Sequence, residues 1–252
     1  MAYTRWNESG HYIFGGNGYV DFTGTVVDDE EVDVFICKLY GYIKDGDNEF
    51  WERFHHGNRV IDNFGRGVSV KMYNKHSHEL DLVVAEISKI AAEIWLEHFT
   101  PIIGLEQVEY MLAKFQTTDI ILTDIKKKDF VYFTAKHIKQ EKLVAYAACK
   151  PEDGYLSLSK ICVHKDYRRN GIARGLLDET AALCRSEYGF NKIRFNVNKN
   201  DADAVAAFHK MGFITIDSVK TDINNGFIMD DYVMELTVDP IELTNKFFFD
   251  LS

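Results

Sequence analysis

Arg168-Arg169-Asn170-Gly171-Ile172-Ala173 places two arginines, a glycine and a small residue ahead of Ile172, Leu176, Leu177, Leu183 and Cys184, which recur at helical spacing. A helix that begins at the glycine turns its first N–H groups outward. They have no intrahelical partner and carry the positive end of the dipole, so they form an anion site. At Gly171 and Ala173 a larger side chain would hold a pyrophosphate away from these amides, and Arg168 and Arg169 can add charge-assisted bonds. Taken alone, the pattern also fits a basic turn ahead of a surface helix.

Upstream, Leu156 and Leu158 are apolar on one phase of a period-two pattern, whereas Ile161 and Val163 are apolar on the other. A β-bulge near Ser159-Lys160 accounts for the slip, because one extra residue re-aims every later side chain and leaves backbone groups unpaired. Unpaired N–H and C=O groups on a buried strand are what a peptide-like ligand pairs with. An imperfect edge strand gives the same pattern.

The bulged strand, the Arg168-x-x-Gly171-x-Ala173 loop and the downstream Ala204-x-x-x-Phe208-x-Lys210-x-Gly212-Phe213 segment together closely resemble the GNAT superfamily of N-acetyltransferases. The resemblance covers about Val68 to Val238, in that family's order of elements. It implies acetyl-CoA as co-substrate and direct attack by an amine, without an acyl-enzyme. It also implies that backbone groups along Ile161, Cys162 and Val163 pair with the pantetheine arm and polarise the thioester carbonyl. Arg168, Arg169, Asn170, Gly171, Ile172 and Ala173 would hold the pyrophosphate, with Asn200 and Phe208 beside the coenzyme. Donors aimed at a developing oxyanion are usually the largest catalytic term, so the physical reading agrees.

Within the superfamily, the run His98 to Gly104, the run Gln107 to Leu112 and the closing Asn225 to Met234 look like the bacterial spermidine-type acetyltransferases. That likeness implies a polyamine or similar small-molecule primary amine, contacted by Phe99, Glu106, Tyr110 and Asp230. Glu109 and Asp231 are further carboxylates in the same segments. Two departures matter. Where many members carry a tyrosine that protonates the departing thiolate, this chain has Phe208, and where an asparagine commonly precedes the fourth helix Asp201 stands, with Asn200 adjacent. Water, Tyr232 or His164 are the candidate substitutes for the missing acid, a group typically worth ~10²–10⁴-fold. A non-catalytic acyl-CoA sensor is the competing expectation that Phe208 motivates. Cys162 and Cys149 are read as packed thiols rather than acyl carriers, since no histidine is placed beside them by sequence.

The elements that must position this chemistry form an α/β protein with a mixed sheet flanked by helices. Val68 to Met72 reads as a strand, and two helices follow, with Val83, Ile87, Ile90, Ala91, Ile94 and Trp95 on one face and Leu105, Val108, Met111, Leu112 and Phe115 on the next. Strands are expected at Phe130 to Thr134, Leu143 to Ala148, Tyr155 to Val163, Ile193 to Val197, Phe213 to Ser218 and Phe227 to Leu236. Helices from Gly171 and from Asp201 to Met211 interrupt them. Residues 1–66 read as a small α+β module, with helices at 28–40 and 49–60, residues 67–238 as the transferase domain, and residues 239–252 as a tail whose Phe247-Phe248-Phe249 should dock on the domain or a partner. Trp6, Phe35, Trp51 and Phe54 make the first module a candidate surface for a protein partner or homo-oligomer, one that would direct the enzyme to a protein amine.

The chain has 252 residues and a formal net charge of −10, which argues against binding along a nucleic-acid backbone. It contains no apolar run of transmembrane length, so no membrane partner and a soluble, cytoplasmic protein are expected. Cys37, Cys149, Cys162 and Cys184 lack the spacing of a metal site or a disulfide framework, so no metal is expected either.

Overall fold

The structure, a computed structural model, describes residues 68–78 and 80–238 together with three short strands ahead of them: β1 (Tyr19–Val20), β2 (Val26–Val27) and β3 (Arg59–Ile61). The expected helix at 28–40 and the docked tail lie outside the described residues, as do most of the second expected helix and the aromatic set of the first module. Arg59 and Val60, read as the end of that helix, instead lie in β3 and pair antiparallel with β4 (Val68–Tyr73).

The main sheet has the order β3-β4-β5-β6-β7-β8-β10-β9. It comprises β5 (Val131–His137), β6 (Lys142–Glu152), β7 (Tyr155–Val163), β8 (Lys192–Asn198), β9 (Ile214–Asp222) and β10 (Ile228–Thr237) in addition to β3 and β4. All neighbours are antiparallel except β7 and β8. A parallel pair needs a crossover, and α5 (Ile172–Ser186) supplies it. The mixed α/β sheet flanked by helices is the architecture expected from the sequence.

Helices cover both faces. On one side α1 (Leu80–His98) lays Val83, Val84, Ile87, Ile90, Ala91, Ile94 and Trp95 onto the sheet. The short α2 (Thr100–Ile103), α3 (Leu105–Phe115) and α4 (Thr118–Lys127) pack around it in a core that includes Tyr132, Tyr146 and Ala148. On the other side, α5 and α6 (Ala202–Lys210) close a second core around Leu156, Leu158, Leu176, Leu177, Phe208 and Phe213. Sequence reading missed α4. Only Ile121, Asp124 and Ile125 of that helix are buried, too narrow a stripe to stand out between Thr117-Thr118-Asp119 and three lysines. Thr117 nevertheless caps it, its side chain accepting from the Ile120 N–H at 3.4 Å.

Candidate functional site

The site begins at an irregularity in β7. Leu158 faces Cys149 of β6 but Lys160 faces Ala148, which leaves Ser159 as the extra residue of a bulge. This is the slip read from the change of apolar phase. β7 and β8 are in register only over Leu156–Leu158 against Ile193–Phe195, so beyond Leu158 the two strands part. The wedge between them leaves the edge of β7 from Ser159 to Val163 without β8 as a neighbour. Into it opens a cavity of about 450 Å³, within the range of small-ligand sites.

At one end of the cavity stands the mouth of α5. Gly171 is its N-cap in the left-handed region (φ 71°), where a side chain would be strained, and the first intrahelical bond runs from the Gly175 N–H to the Gly171 carbonyl at 3.0 Å. The amides of Ile172, Ala173 and Arg174 precede that bond, and all three residues line the cavity. Arg169 also has a positive φ (63°), which turns the loop sharply. Arg168 is committed to scaffolding, its Nε donating to the Val163 carbonyl at 3.1 Å and its Nη2 to Glu97 Oε2 of α1 at 2.6 Å. The bulged strand, the loop and α1 are thereby fastened to one another.

The opposite end lies under α1–α3 and is walled by Ile94, Trp95, Phe99, Ile103, Met111 and Met229. Phe99 packs against the Trp95 ring at 5.1 Å between centroids. Two carboxylates reach the cavity. Asp201 caps α6 through the Ala204 N–H (3.1 Å) and bonds His98 Nε2 at 2.7 Å. Burial works to raise its carboxyl, but the His98 bond and the Ala204 N–H prevail and hold it below the usual carboxylate range. Asp231 is 2% exposed, and among the described residues no side chain hydrogen-bonds to it. Burial, with help from the neighbouring Asp230, pushes its carboxyl up to about 6.

Several ties hold the wedge at its present width. Besides His98–Asp201, Gln107 Nε2 of α3 donates to the Ile228 carbonyl of β10 at 3.4 Å. Tyr110 Oη and Lys114 Nζ both donate to the Ile223 carbonyl, each at 2.6 Å.

Cys162 lines the cavity, but burial pushes its thiol up, against bonds from Tyr146 and Trp95 that lower it. It remains a thiol rather than a nucleophilic thiolate. Cys149, fully buried, is raised far more strongly by the same cause. Lys160 points away from the wedge, its Nζ donating to Tyr132 Oη at 3.0 Å near Asp124 at 3.7 Å.

Of the residues singled out by sequence, Ile161, Cys162, Val163, Arg168, Arg169, Gly171, Ile172, Ala173, Phe208 and Phe99 line one cavity. Asn170 is exposed beside it, its amide on the Tyr167 carbonyl at 3.3 Å. Asn200 stands aside and Asp201 lines the wall. His164 lies outside the wall and caps the turn Lys165–Tyr167, its Nδ1 accepting from the Asp166 N–H at 3.4 Å. Tyr232 packs on the α6 side with Lys199 over its ring at 5.6 Å. Glu106 is exposed, Tyr110 binds Ile223, and Asp230 is paired with Lys199 and with Lys220 at 3.3 Å. Sequence reasoning did not single out His98 and Trp95, and ranked Asp231 below Asp230. The signal for Asp231 was present: two consecutive carboxylates on a central strand point to opposite faces, so one of them must meet the interior.

The sequence profile of the Acetyltransferase (GNAT) family matches residues 91–213, a span that holds the bulge, the loop and α6. No curated protein matches the chain. Among solved structures, the PaiA N-acetyltransferase of Thermoplasma acidophilum, in complex with coenzyme A, superposes with a TM-score of 0.56 at 17% identity, over 68% of this chain and 98% of that one. A GCN5-related N-acetyltransferase of Rhodopseudomonas palustris gives 0.54 at 17% identity, over 67% of this chain and 94% of that one. A putative GNAT-family acetyltransferase of Desulfovibrio desulfuricans gives 0.50 at 16% identity, over 68% and 99%. At these identities the likeness is one of fold. The chain thus shares the fold of these acetyltransferases and, over residues 91–213, resembles the sequence profile of the GNAT family.

Proposed function

We propose that the protein transfers the acetyl group of acetyl-CoA to a small primary amine by direct attack. The observation that carries this is the single cavity in which the open edge of β7 meets the free amides at the mouth of α5. These residues fit the coenzyme. Amides of Ile172, Ala173 and Arg174 suit a pyrophosphate, and peptide groups along Ser159–Val163 suit the amide-bearing pantetheine arm.

Bound acetyl-CoA supplies an activated thioester carbonyl. The β7 edge holds that carbonyl facing the α1–α3 end, and an N–H of the same edge takes the charge that develops on its oxygen. The amine nitrogen forms the C–N bond as the C–S bond breaks. One proton of the incoming ammonium leaves before attack, a second passes to the departing thiolate, and the products are the N-acetyl amine and CoA. Phe208, packed edge-on to Phe195 at 4.7 Å, offers no proton to the leaving group, so water must deliver it. A thiolate is a good enough leaving group to depart on those terms.

A polyamine acceptor, as the resemblance implies, is one member of the amine class, and the cavity-lining Asp231 supports a cationic acceptor in general. The protein mixed with acetyl-CoA and a panel of amines, peptide amines included, should release free CoA thiol in proportion to N-acetyl product. Tight binding of acetyl-CoA without thiol release from any of them would replace this reading with that of a coenzyme sensor.

A further inference from the structure

The cavity wall carries charged groups of both signs. The cations, Arg168, Arg169 and Arg174, stand at the α5 mouth, and Lys160 is turned away toward Tyr132. Among the described residues that line the cavity, the carboxylates are Asp201 and Asp231. Asp201 spends its oxygens on His98 and the Ala204 N–H. Asp231 spends its on nothing among the described residues, although it is 2% exposed and sits in the wall. A buried carboxylate without a hydrogen-bond partner is costly to keep, and such a group calls for an absent partner. The missing partner is a cation, and among the described residues the cavity gives it access.

The rest of the wall says what the cation is attached to. Trp95, Phe99, Ile103, Met111 and Met229 line the same cavity with carbon and sulfur, His98 is engaged by Asp201, and Gln107 is turned to the Ile228 carbonyl. Glu106 and Glu109 are exposed away from this wall, and Asp230 faces Lys199 and Lys220 on the other side of its strand. A polyamine would therefore find a partner for one ammonium and leave its others buried against apolar groups, each at the cost of desolvation without compensation.

We propose that Asp231 is the anchor for the acceptor's ammonium group and takes its proton, and that the acceptor is a monoamine with an apolar or aromatic body. This rests on the transferase reading above for the identity of the amine as acceptor. Asp231 bonds the R–NH3+ group at the foot of the wall and accepts one proton, leaving R–NH2 facing the thioester carbon. The proton passes from Asp231 to solvent as products leave. Trp95 and Phe99 hold the carbon body and exclude water from the nitrogen.

The test uses the full chain, loaded with CoA, and two probes, 2-phenylethylamine and spermidine. Calorimetric titration should show 2-phenylethylamine bound at least tenfold more tightly than spermidine, and Asp231→Asn should weaken its binding at least tenfold while CoA affinity stays unchanged. Turnover with acetyl-CoA is the second readout: kcat/KM for 2-phenylethylamine should fall about 10²-fold or more in Asp231→Asn, the range of a lost proton acceptor, and Asp231→Glu should recover part of it. Equal amine binding by wild type and variant overturns the proposal even if CoA release continues. Tighter binding of spermidine than of 2-phenylethylamine overturns it as well. Amine binding that depends on Asp231 without any CoA release would uphold the amine site and remove the transferase reading instead.

Discussion

Replacing Asp231 by asparagine should make the protein more stable at neutral pH, with a gain that fades in acid. The carboxyl is raised from an ordinary 3.8 to about 6 by burial and by Asp230. Between those two values the folded protein binds a proton that the unfolded chain does not. Wild-type stability therefore falls as pH rises through this window and is flat above it. A shift of about two units, at 1.36 kcal/mol each, makes the ionised carboxylate cost about 3 kcal/mol above pH 7. Asparagine keeps the shape and never ionises, so the variant should be more stable by up to that amount at pH 7.5, and by only about half of it at pH 5. For a chain of this size the neutral-pH gain corresponds to roughly 6–12 °C in Tm. Urea denaturation of both proteins at pH 7.5 and pH 5 measures the two differences. Equal differences at the two pH values, or a less stable variant at pH 7.5, would refute the claim that the wall of the cavity holds an unpaired ionised carboxylate.

Gly171→Ala puts a Cβ on a residue at φ 71°, which should cost about 1–2 kcal/mol of stability and, by disturbing the free amides, weaken CoA binding on the order of tenfold by calorimetry. Asp201→Ala removes the cap of α6 and the partner of His98, and should lower stability by about 1–2 kcal/mol at pH 7. Because the Asp201 carboxyl is held below its usual range, its contribution is present at neutral pH and lost as pH falls through that lowered value. The deficit of the variant should shrink in acid, and Asp201→Asn, which can still cap, should lose less. On the proposed direct attack, Cys162→Ala should keep full turnover and show no change in CoA release, since burial holds the thiol protonated; loss of turnover would point to an acyl-cysteine.

The geometry of the bulge and the α5 mouth was legible in the sequence because it is local. A change of apolar phase within nine residues marks a bulge, and a glycine between arginines and a helical stripe marks a helix mouth; both appear where the spacing puts them. The cavity wall under α1–α3 was legible only in part. It is built from residues that are distant in sequence, Trp95, His98, Asp201 and Asp231, and no period connects them. Tertiary pairing also redirected single residues: Asp230 met two lysines, His164 became a turn cap, and Asp201 took the wall position beside Asn200. Nothing within a few residues of each encodes these outcomes. The helix α4 was lost for the opposite reason, since its signals are local but weak, with three buried positions between polar ends.

The parting of β7 and β8 also has a mechanical side. Only three residue pairs join the strands of the two halves of the sheet, β3–β7 and β8–β10–β9, and the rest of the seam is held by the α5 crossover and a few side-chain ties across the split. A sheet seamed in this way is two cooperative units rather than one. The β9 edge, exposed along most of its length, belongs to the unit with fewer neighbours. Amide hydrogens of β9 and β10 should therefore exchange with solvent sooner than those of β5 and β6. A ligand lodged in the wedge would act as a rivet, slowing exchange on both sides at once.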